Sequence, residues 1–334
     1  MSDIKPKVAI LYWGNRGGGK VLTDQLVHES GMQGYELTQF SRPIVRGTEV
    51  RTIPIYSFWK WISLRRKMVL KVAQSNIKVV VIPMASPWDI FLGRKLIKSG
   101  VSVTRIIHDA NPHPGDKFPP KFWIKLLCND SSRIVTLSKY VKLQLIANKY
   151  AEPSKITIGS LPAPILPSIR MVESKVPRLN FLFIGRGRSY KGLDLLLASW
   201  PTVGNANSKL IIAGEGHQIQ TTESRVSHID RWLTDQEVIQ YIYDCDLMVL
   251  PYIEASQSGL VSIAHALHRP VIVTPVGGLV EQVLDGVNGI VAKAANAEYL
   301  SQAMNQAINF DFSRGFKTGV ETNLLKVCVE GTNL

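Results

Sequence analysis

The protein has 334 residues, of which 45% are hydrophobic, and its formal net charge at pH 7 is +13. A chain of this length and apolar content can form two domains with separate cores, and its composition excludes an intrinsically disordered protein. The sequence contains no apolar run of the roughly 18 residues that a spanning helix needs, and its N-terminal apolar run is too short for a signal peptide.

The cysteines and the charge distribution indicate the redox compartment and the kind of partner. Cys128, Cys245 and Cys328 are too far apart for a CxxC metal or redox pair, which fits a reducing, cytoplasmic location. Residues 1–167 carry 25 Lys and Arg against 10 Asp and Glu, whereas residues 168–334 carry 14 against 16. The basic first half is therefore expected to face an anionic partner, either nucleic acid or acidic lipid.

Short β-branched runs alternate with helix-length amphipathic segments in both halves. The predicted strands are KVAILYW, KVVVIPM, VTRIIHD and RIVTLS, followed by LNFLFIG, KLIIAGEG, DLMVLPY and RPVIVTP. Continuous apolar strands of this kind are buried on both faces, as in a parallel sheet covered by helices. The pattern predicts an α/β protein with two domains of Rossmann type.

A proline-rich stretch separates the two sets of strands. Its prolines are Pro162, Pro164, Pro167 and Pro177. Because proline interrupts periodic structure, we predict a hinge near residue 168. The predicted domains are 1–167 and 168–310, with a tail at 311–334 whose weak pattern leaves open whether it crosses back to the first domain.

In open α/β sheets, ligands bind beyond the carboxyl ends of the strands, where a loop enters a helix. Gly17, Gly18 and Gly19 follow the first strand and open a helix-like segment. Their backbone N–H groups can approach a phosphate or a sugar, but the sequence matches neither GxGxxG nor a Walker loop. A structural turn and a ligand loop are equally compatible with these glycines.

The loops of the second half contain more charged residues that could bind a ligand. Arg186 and Lys191 lie between a predicted strand and a helix, where a guanidinium fork and an ammonium can clamp a diphosphate. Solvated loop cations are the alternative for these two residues. Glu254 ends DLMVLPYIE, and the SQSG that follows opens a helix. The next loop contains a glycine pair and Glu281.

The ordered segments of the second half resemble the retaining, nucleotide-sugar-dependent glycosyltransferases of family four. These segments are FIGRGRSYKGLDLLL, LIIAGEG, TDQEVIQYIYDCDLMVLPY, RPVIVTPVGGLVEQV and DGVNGIVA. The likeness is close over residues 181–292 and looser in the first half, through GGGK, IIHDANP and IVTLSKYV. It implies the GT-B architecture, in which two Rossmann-like domains face each other across a cleft. It also implies that Arg186 and Lys191 bind the donor diphosphate.

The family commonly has two glutamates with seven residues between them, and Glu254 resembles the first, which lies near the donor sugar. The second position is Ser262, or Ile263 when the following proline is aligned. The EASQSG form resembles a branch that assembles polysaccharides. Helix capping by Ser256 or Ser258 is a structural interpretation of the same turn and is compatible with ligand binding. The expected donor contacts are Gly17, Gly18, Gly19, Gly214, Arg231, Ser256, Gln257, Ser258, Gly259 and Glu281.

The resemblance also implies a role for His108, which follows VTRIIHD, in positioning the sugar or the acceptor, with His113 as the rival. The expected catalytic set is His108, Arg186, Lys191 and Glu254. Asp244 and Asp246 flank the start of a strand and do not form a DxD metal pair. We therefore predict transfer without a metal ion or a cofactor.

The segment SFWKWISLRRKMVLKVAQ, taken as a helix, places three lysines in a narrow arc opposite Phe58, Ile62, Val69 and Val72. Its basic and aromatic residues are typical of an interfacial helix on anionic lipid, and a domain helix with lysines in water is the alternative. The expected acceptor and membrane contacts are Lys60, Arg65, Arg66, Lys67 and Lys71. Further cations, Lys117, Lys121 and Lys125, flank the aromatic segment KFPPKFW.

These observations predict a retaining, metal-independent glycosyltransferase of the hexosyltransferase type. Its partners would be a nucleotide diphosphate sugar, a glycan or lipid-linked acceptor and the anionic inner face of the cell membrane, in bacterial surface polysaccharide or glycolipid assembly. Nucleic acid is excluded as a partner because no recognised binding module is present. Two alternatives remain open: a non-catalytic partner subunit with this fold, and a nucleotide-sugar epimerase.

Overall fold

The computed structural model describes residues 6–331 apart from 13–16, 34, 42–54, 87–90, 113–119, 163, 167–178, 205, 220, 313–315 and 318–322. The chain forms two compact units. The first comprises Met1–Asn111, Pro119–Pro162 and Thr322–Leu334, and the second comprises Pro112–Phe118 and Ala163–Glu321. The predicted hinge near residue 168 lies outside the described residues.

The first unit contains a parallel six-stranded sheet. Its strands are β1 (Val8–Tyr12), β2 (Leu37–Ser41), β3 (Val79–Ile82), β4 (Ser102–Ile107), β5 (Arg133–Thr136) and β6 (Ile156–Ile158). The strand order is β2-β1-β3-β4-β5-β6. The order therefore reverses between β1 and β3, which is the topological switch point of this sheet.

Helices cover both faces of the first sheet. They include α1 (Gly17–Gln33), α2 (Ile55–Gln74), α3 (Leu92–Lys98), α4 (Lys121–Asn129) and α5 (Lys139–Ala147). Val8 and Ile10 of β1 pack on the face that α1 covers, while Ala9 and Leu11 pack on the face that α2 and α3 cover. This alternation explains why the strand sequences are apolar throughout.

The second unit contains another parallel six-stranded sheet. Its strands are β7 (Leu179–Ile184), β8 (Ser208–Ala213), β9 (Val226–Ile229), β10 (Leu247–Leu250), β11 (Val271–Val273) and β12 (Gly289–Val291). The order is β12-β11-β10-β7-β8-β9. This is the Rossmann order, and its switch point lies between β7 and β10.

Four helices pack on the second sheet: α6 (Leu193–Ser199), α7 (Asp235–Asp244), α8 (Gly259–Ala266) and α9 (Ala297–Ile308). Phe181 and Phe183 of β7 pack with Trp200 on the face of α6 and α9. Leu182 and Ile184 pack on the face of α7 and α8. All four strand side chains are at most 1% exposed, and burial of each contributes about 1.5–3 kcal/mol.

The last helix, α10 (Leu324–Glu330), packs on the first sheet although it follows the second unit in the sequence. Leu324 and Cys328 join the core beside α1. Thr104 Oγ1 donates a hydrogen bond of 2.8 Å to the Cys328 carbonyl, and Tyr35 Oη donates one of 2.9 Å to Glu330. α10 is therefore part of the first unit's core.

The predicted fold class is confirmed: each unit is a parallel α/β sheet of Rossmann type covered by helices. Within the described part of the chain, no helix combines the length and the apolar character needed to cross a bilayer.

Candidate functional site

The candidate site lies at the switch point of the second sheet. Strands β7 and β10 are neighbours there, and the loops that leave their carboxyl ends are residues 185–192 and 251–258. Loops at a switch point diverge to opposite faces of a sheet and leave a crevice in which ligands bind. The predicted residues Arg186, Lys191 and Glu254 all lie on these two loops.

In the loop after β7, the Lys191 ammonium lies against the backbone of Gly185. Gly185 has φ = 137°, a conformation that side-chain-bearing residues rarely adopt. A Cβ atom added at Gly185 would lie 2.6 Å from Lys191 Nζ. The backbone angle thus favours glycine here, and a side chain at this position would displace the ammonium. The neighbouring Arg186 side chain is exposed.

Tyr252, two residues beyond β10, holds the Lys191 side chain. Lys191 Nζ donates a hydrogen bond of 3.0 Å to Tyr252 Oη and lies 4.9 Å from the centroid of that ring. Tyr252 is only 3% exposed, and its ring packs edge-on against Tyr190 at 6.2 Å. One of the three ammonium N–H groups is used in this contact, so the group retains donors for an anion.

Glycines allow the loops after β7 and β8 to pack backbone against backbone. Gly214 has φ = 133°, and a Cβ atom there would lie 2.0 Å from the Gly185 carbonyl oxygen. A Cβ atom at Gly187 would lie 1.9 Å from the Gly216 carbonyl oxygen. Gly214, predicted as a donor contact, is therefore needed for the close approach of these two loops.

The predicted donor residue Arg231 lies after β9 and pairs with α7. Its Nη2 lies 2.6 Å from Glu237 Oε1, and Glu237 also forms a capping box with Thr234 at the start of the helix. Hydrogen bonds from Arg231 and then from Thr234 lower the pKa of Glu237 to about 2. The Arg231 guanidinium is thus directed to the helix, and its pKa is raised mainly by the bond to Glu237.

The loop after β10 is tied to the loop after β11. Gly278 N donates a hydrogen bond of 3.0 Å to Ala255 O. The Gln282 side chain accepts a bond of 2.7 Å from Ser258 N and donates one of 3.0 Å to Ser258 O. The Ser258 amide, expected to serve a ligand, is therefore bonded to Gln282. Ser258 is the N-cap residue of α8, and its described geometry includes no side-chain capping bond.

The other predicted residues of these loops differ in accessibility. Ser256 is buried, Glu254 and Gln257 are half-buried, and Gly259 and Glu281 are exposed. Gly259 is the first residue of α8, and Glu281 ends a short turn after the glycine pair. The structure thus brings the second-half residues of the predicted set to adjacent loops at the carboxyl edge of one sheet.

The remaining predicted residues belong to the first unit. Gly17, Gly18 and Gly19 form the first turn of α1, at the switch point of that sheet. A Cβ atom at Gly19 would lie 2.7 Å from the Tyr12 ring, whereas Gly18 has open space around this position.

His108 directly follows β4 and is half-buried. Its Nε2 lies 2.8 Å from the Pro83 carbonyl oxygen, and because a carbonyl only accepts, Nε2 carries a proton. Burial lowers the pKa of His108, opposed by Asp109 and by the bond to Pro83. The ring is therefore neutral near pH 7, with Nδ1 as an acceptor. The rival His113 lies outside the described residues.

The predicted helix in the basic segment is confirmed as α2, but its cations do not share one environment. Arg66, Lys67 and Lys71 are exposed. Arg65 is only 6% exposed. Burial lowers its pKa, and the negative charge of Asp130 partly offsets this shift. Arg65 therefore lies in the interior rather than with the exposed cations. Lys60 lies in α2, and its side chain is outside the described part, as are those of Phe58, Trp59 and Trp61.

A second basic and aromatic surface, the α3–α4 surface, combines exposed cations with exposed rings. Its members are Phe91, Arg94, Lys121, Phe122 and Lys125. Phe122 is 63% exposed and Phe91 is 48% exposed. The two helices are adjacent, because Phe91, Arg94 and Trp123 line one small cavity between them. Lys117 of the same sequence segment lies outside the described residues.

Among the described residues, no cluster of three or more His, Cys, Asp and Glu side chains is placed to hold a metal ion. Asp244 Oδ1 accepts a bond of 2.9 Å from Gln240, and Asp246 Oδ2 accepts one of 2.7 Å from Asn180 N. Both aspartates thus serve structural bonds at the amino end of β10.

Tyr252, His217 and Gln282 are not among the residues predicted from the sequence. Tyr252 and His217 lie just beyond strands β10 and β8, so a polar residue after the carboxyl end of a predicted strand was the available signal. Gln282 carried no comparable signal, because its role depends on the contact between two loops.

Residues 178–309 match the model of the family described as glycosyl transferases group 1. A protein of Methanocaldococcus jannaschii named as an uncharacterized glycosyltransferase is 31% identical over 198 residues, which are 57% of this chain and 53% of that protein. The chain therefore spans about half the length of this curated relative.

Solved structures extend the likeness to both units. A glycosyltransferase from Rickettsia africae has a TM-score of 0.68 at 14% identity, covering 94% of this chain and 91% of that one. HepE of Anabaena, solved in complex with UDP, has a TM-score of 0.64 at 12% identity, covering 97% and 95%. Residues 178–309 of the second unit are thus similar to glycosyl transferases group 1, and both units share the GT-B fold of these glycosyltransferase structures.

Proposed function

We propose that the protein transfers a sugar from a nucleoside diphosphate sugar to a glycan or lipid-linked acceptor, with retention of configuration and without a metal ion. The observation that carries the proposal is the Lys191 ammonium, held by Tyr252 against the Gly185 backbone at the switch point of the second sheet. The group 1 family match covers this loop.

The donor diphosphate would lie on the loop after β7. Arg186 supplies an exposed guanidinium and Lys191 an ammonium on the same glycine-containing loop. Positive charges at these two positions would stabilise the negative charge that develops on the departing diphosphate. HepE, which has the same fold, was solved with UDP, and this supports a nucleoside diphosphate as the ligand.

In the proposed reaction the bond between the anomeric carbon and the diphosphate oxygen breaks, and the acceptor hydroxyl forms the new bond on the same face. The hydroxyl proton passes to the departing phosphate oxygen. Glu254, half-buried beside the Lys191 loop, would orient the donor sugar through its hydroxyls. His108, with Nδ1 as an acceptor, would orient a sugar or acceptor hydroxyl.

The acceptor side is proposed from charge and exposed rings. The first half holds the whole basic excess of the chain, and α2 and the α3–α4 surface expose cations, with two phenylalanines on the latter. Cations combined with aromatic rings favour anionic lipid headgroups. We propose peripheral attachment to the inner face of the cell membrane and a role in bacterial surface polysaccharide or glycolipid assembly.

One observation favours a second candidate, a non-catalytic partner subunit. The position of the family's second glutamate is Ser262, on α8. A partner subunit would bind a nucleotide without turnover. An epimerase of similar fold would need neither an acceptor nor a basic surface.

Calorimetric titration with UDP, GDP and their sugar conjugates, without metal, tests the proposal. We expect micromolar binding of one nucleotide that is lost in the double variant Arg186→Ala, Lys191→Ala. Arg188→Ala, an exposed cation of the same loop, is the matched control and should bind normally. A folded protein that binds no nucleotide would overturn the catalytic proposal. Nucleotide release that requires a lipid-linked acceptor would separate a transferase from both alternatives.

A further inference from the structure

His217 is a buried histidine beside the Lys191 loop that the proposed reaction does not use. It follows the Gly214–Gly216 turn after β8 and is 5% exposed. We infer that His217 is a positioning residue, which fixes the Gly185 peptide by a hydrogen bond and thereby sets the place of the Lys191 ammonium for the donor diphosphate. The inference rests on the proposed function of that loop.

The first observation is the hydrogen bond itself. His217 Nε2 lies 2.7 Å from the Gly185 carbonyl oxygen. Because the carbonyl only accepts, the proton must be on Nε2, which identifies the tautomer when the ring is neutral. The bond joins the loops after two neighbouring strands, β7 and β8.

The second observation is the freedom of the residue that His217 holds. Gly185 has φ = 137°, and without a side chain its peptide rotates readily. The Lys191 ammonium lies directly against this residue, 2.6 Å from the position of an added Cβ atom. A rotation at Gly185 would therefore displace the backbone surface on which the ammonium lies, as well as the adjoining Arg186.

The third observation is that the ring has defined neighbours. The centroid of the Phe183 ring lies 5.5 Å from that of His217 in an edge-on contact, and the centroid of the His228 ring lies 6.1 Å away. Burial lowers the pKa of His217; His228 and Lys191 act in the same direction, while the Gly185 bond and Asp230 oppose them. The neutral ring that these groups favour keeps the hydrogen bond and adds no charge facing Lys191.

Two substitutions separate the hydrogen bond from the bulk of the ring. His217→Leu removes the donor, whereas His217→Gln places an amide donor near the position of Nε2. Each variant is titrated with UDP and GDP without metal, and amide hydrogen exchange is measured over residues 185–191 without ligand. His228→Gln, at the exposed neighbour, is the control.

We expect His217→Leu to weaken nucleotide binding about fivefold to tenfold, the effect of one hydrogen bond. Exchange at Gly185 and Gly187, whose amides donate to Ala213 and Glu215, should accelerate in the same variant. His217→Gln and His228→Gln should remain close to wild type in both measurements. His217→Asn, whose amide is too short to reach the carbonyl, replaces the leucine variant if that protein does not fold.

Equal binding and equal exchange in a folded His217→Leu protein would overturn the inference. So would a glutamine variant as impaired as the leucine variant, because the ring rather than its proton would then be required. If the wild type binds no nucleotide, the proposed function fails. In that case, faster exchange only in His217→Leu or His217→Asn would still support the positioning role of His217. Unchanged exchange in those variants would overturn that role as well as the proposed function.

Discussion

The Nζ atom of Lys191 lies 3.0 Å from the hydroxyl oxygen of Tyr252, and this bond joins the loops that follow β7 and β10. A lysine ammonium moves on a flexible four-carbon stem, so a ligand must otherwise immobilise it on binding. The bond and the ring beneath the ammonium restrict that motion before the ligand arrives. Such preorganisation lowers the entropic cost of binding.

Tyr252→Phe should therefore weaken nucleoside diphosphate binding by about threefold to tenfold, the effect of one hydrogen bond. The variant keeps the ring contact and removes only the acceptor for Lys191. Calorimetric titration measures the change. Tyr243→Phe, which precedes the opposite end of β10 and keeps its ring beneath Arg269, should bind normally. Equal affinities in all three proteins would contradict the proposed role of the hydroxyl.

Glu254→Gln should lower kcat by about 100-fold and leave nucleotide affinity within about twofold, because the proposed diphosphate ligands are Arg186 and Lys191. Initial rates with a sugar donor and titration with the nucleotide alone separate the two effects. Glu298→Gln, at the first turn of α9, is the control. A parallel loss of nucleotide affinity would show that Glu254 contacts the nucleotide itself, for example through its ribose hydroxyls.

Lys121→Glu should weaken binding to vesicles of anionic lipid by at least about fivefold, since each cation near such a surface contributes roughly 1 kcal/mol. Phe122→Ser should weaken it as well, because a ring that is 63% exposed would no longer enter the headgroup region. Vesicle sedimentation at low and high salt measures both effects. Lys326→Glu, which reverses an exposed charge on α10, is the matched control. Equal loss in that control would assign the effect to net charge alone.

Stability should fall as the pH is lowered from 6.5 to about 4 because of His265. This histidine is 4% exposed, and burial lowers its pKa from 6.5 to about 4, against a backbone hydrogen bond with Asn288. Between these values the unfolded chain binds a proton that the folded chain does not, so stability decreases with decreasing pH, by up to about 3 kcal/mol.

Urea unfolding at pH 7 and pH 4.5 tests the effect of His265. His265→Leu should unfold with a smaller difference between the two pH values, whereas His228→Leu, at an exposed position, should keep the wild-type difference. An unchanged pH dependence in the His265 variant would assign the acid sensitivity to other groups.

The eight strands predicted from the sequence are all present, and the four further strands among the described residues share one property. β2, β6, β9 and β12 are the edge strands of the two sheets. Central strands are covered on both faces and need continuous apolar residues, which a sequence displays clearly. Edge strands here are short or half-exposed, as in VSHI of β9, so their sequences resemble loops.

The candidate site was predictable only in part. Arg186, Lys191 and Glu254 were identified because they follow strands in a recognisable order. The roles of Tyr252 and Gln282 depend on contacts between loops that are far apart in the sequence, which local patterns do not encode. Conversely, the helix pattern that predicted surface cations in α2 did not reveal that one of them, Arg65, is buried.

The position of α10 has a consequence for how the chain folds during synthesis. One face of the first sheet is covered by α1 together with residues 324–330, and the whole second unit is translated between them. The first unit therefore cannot close its core while it emerges from the ribosome, although N-terminal domains usually fold first. The second unit can complete its own core earlier, so we expect the order of folding along this chain to be the reverse of the order of translation.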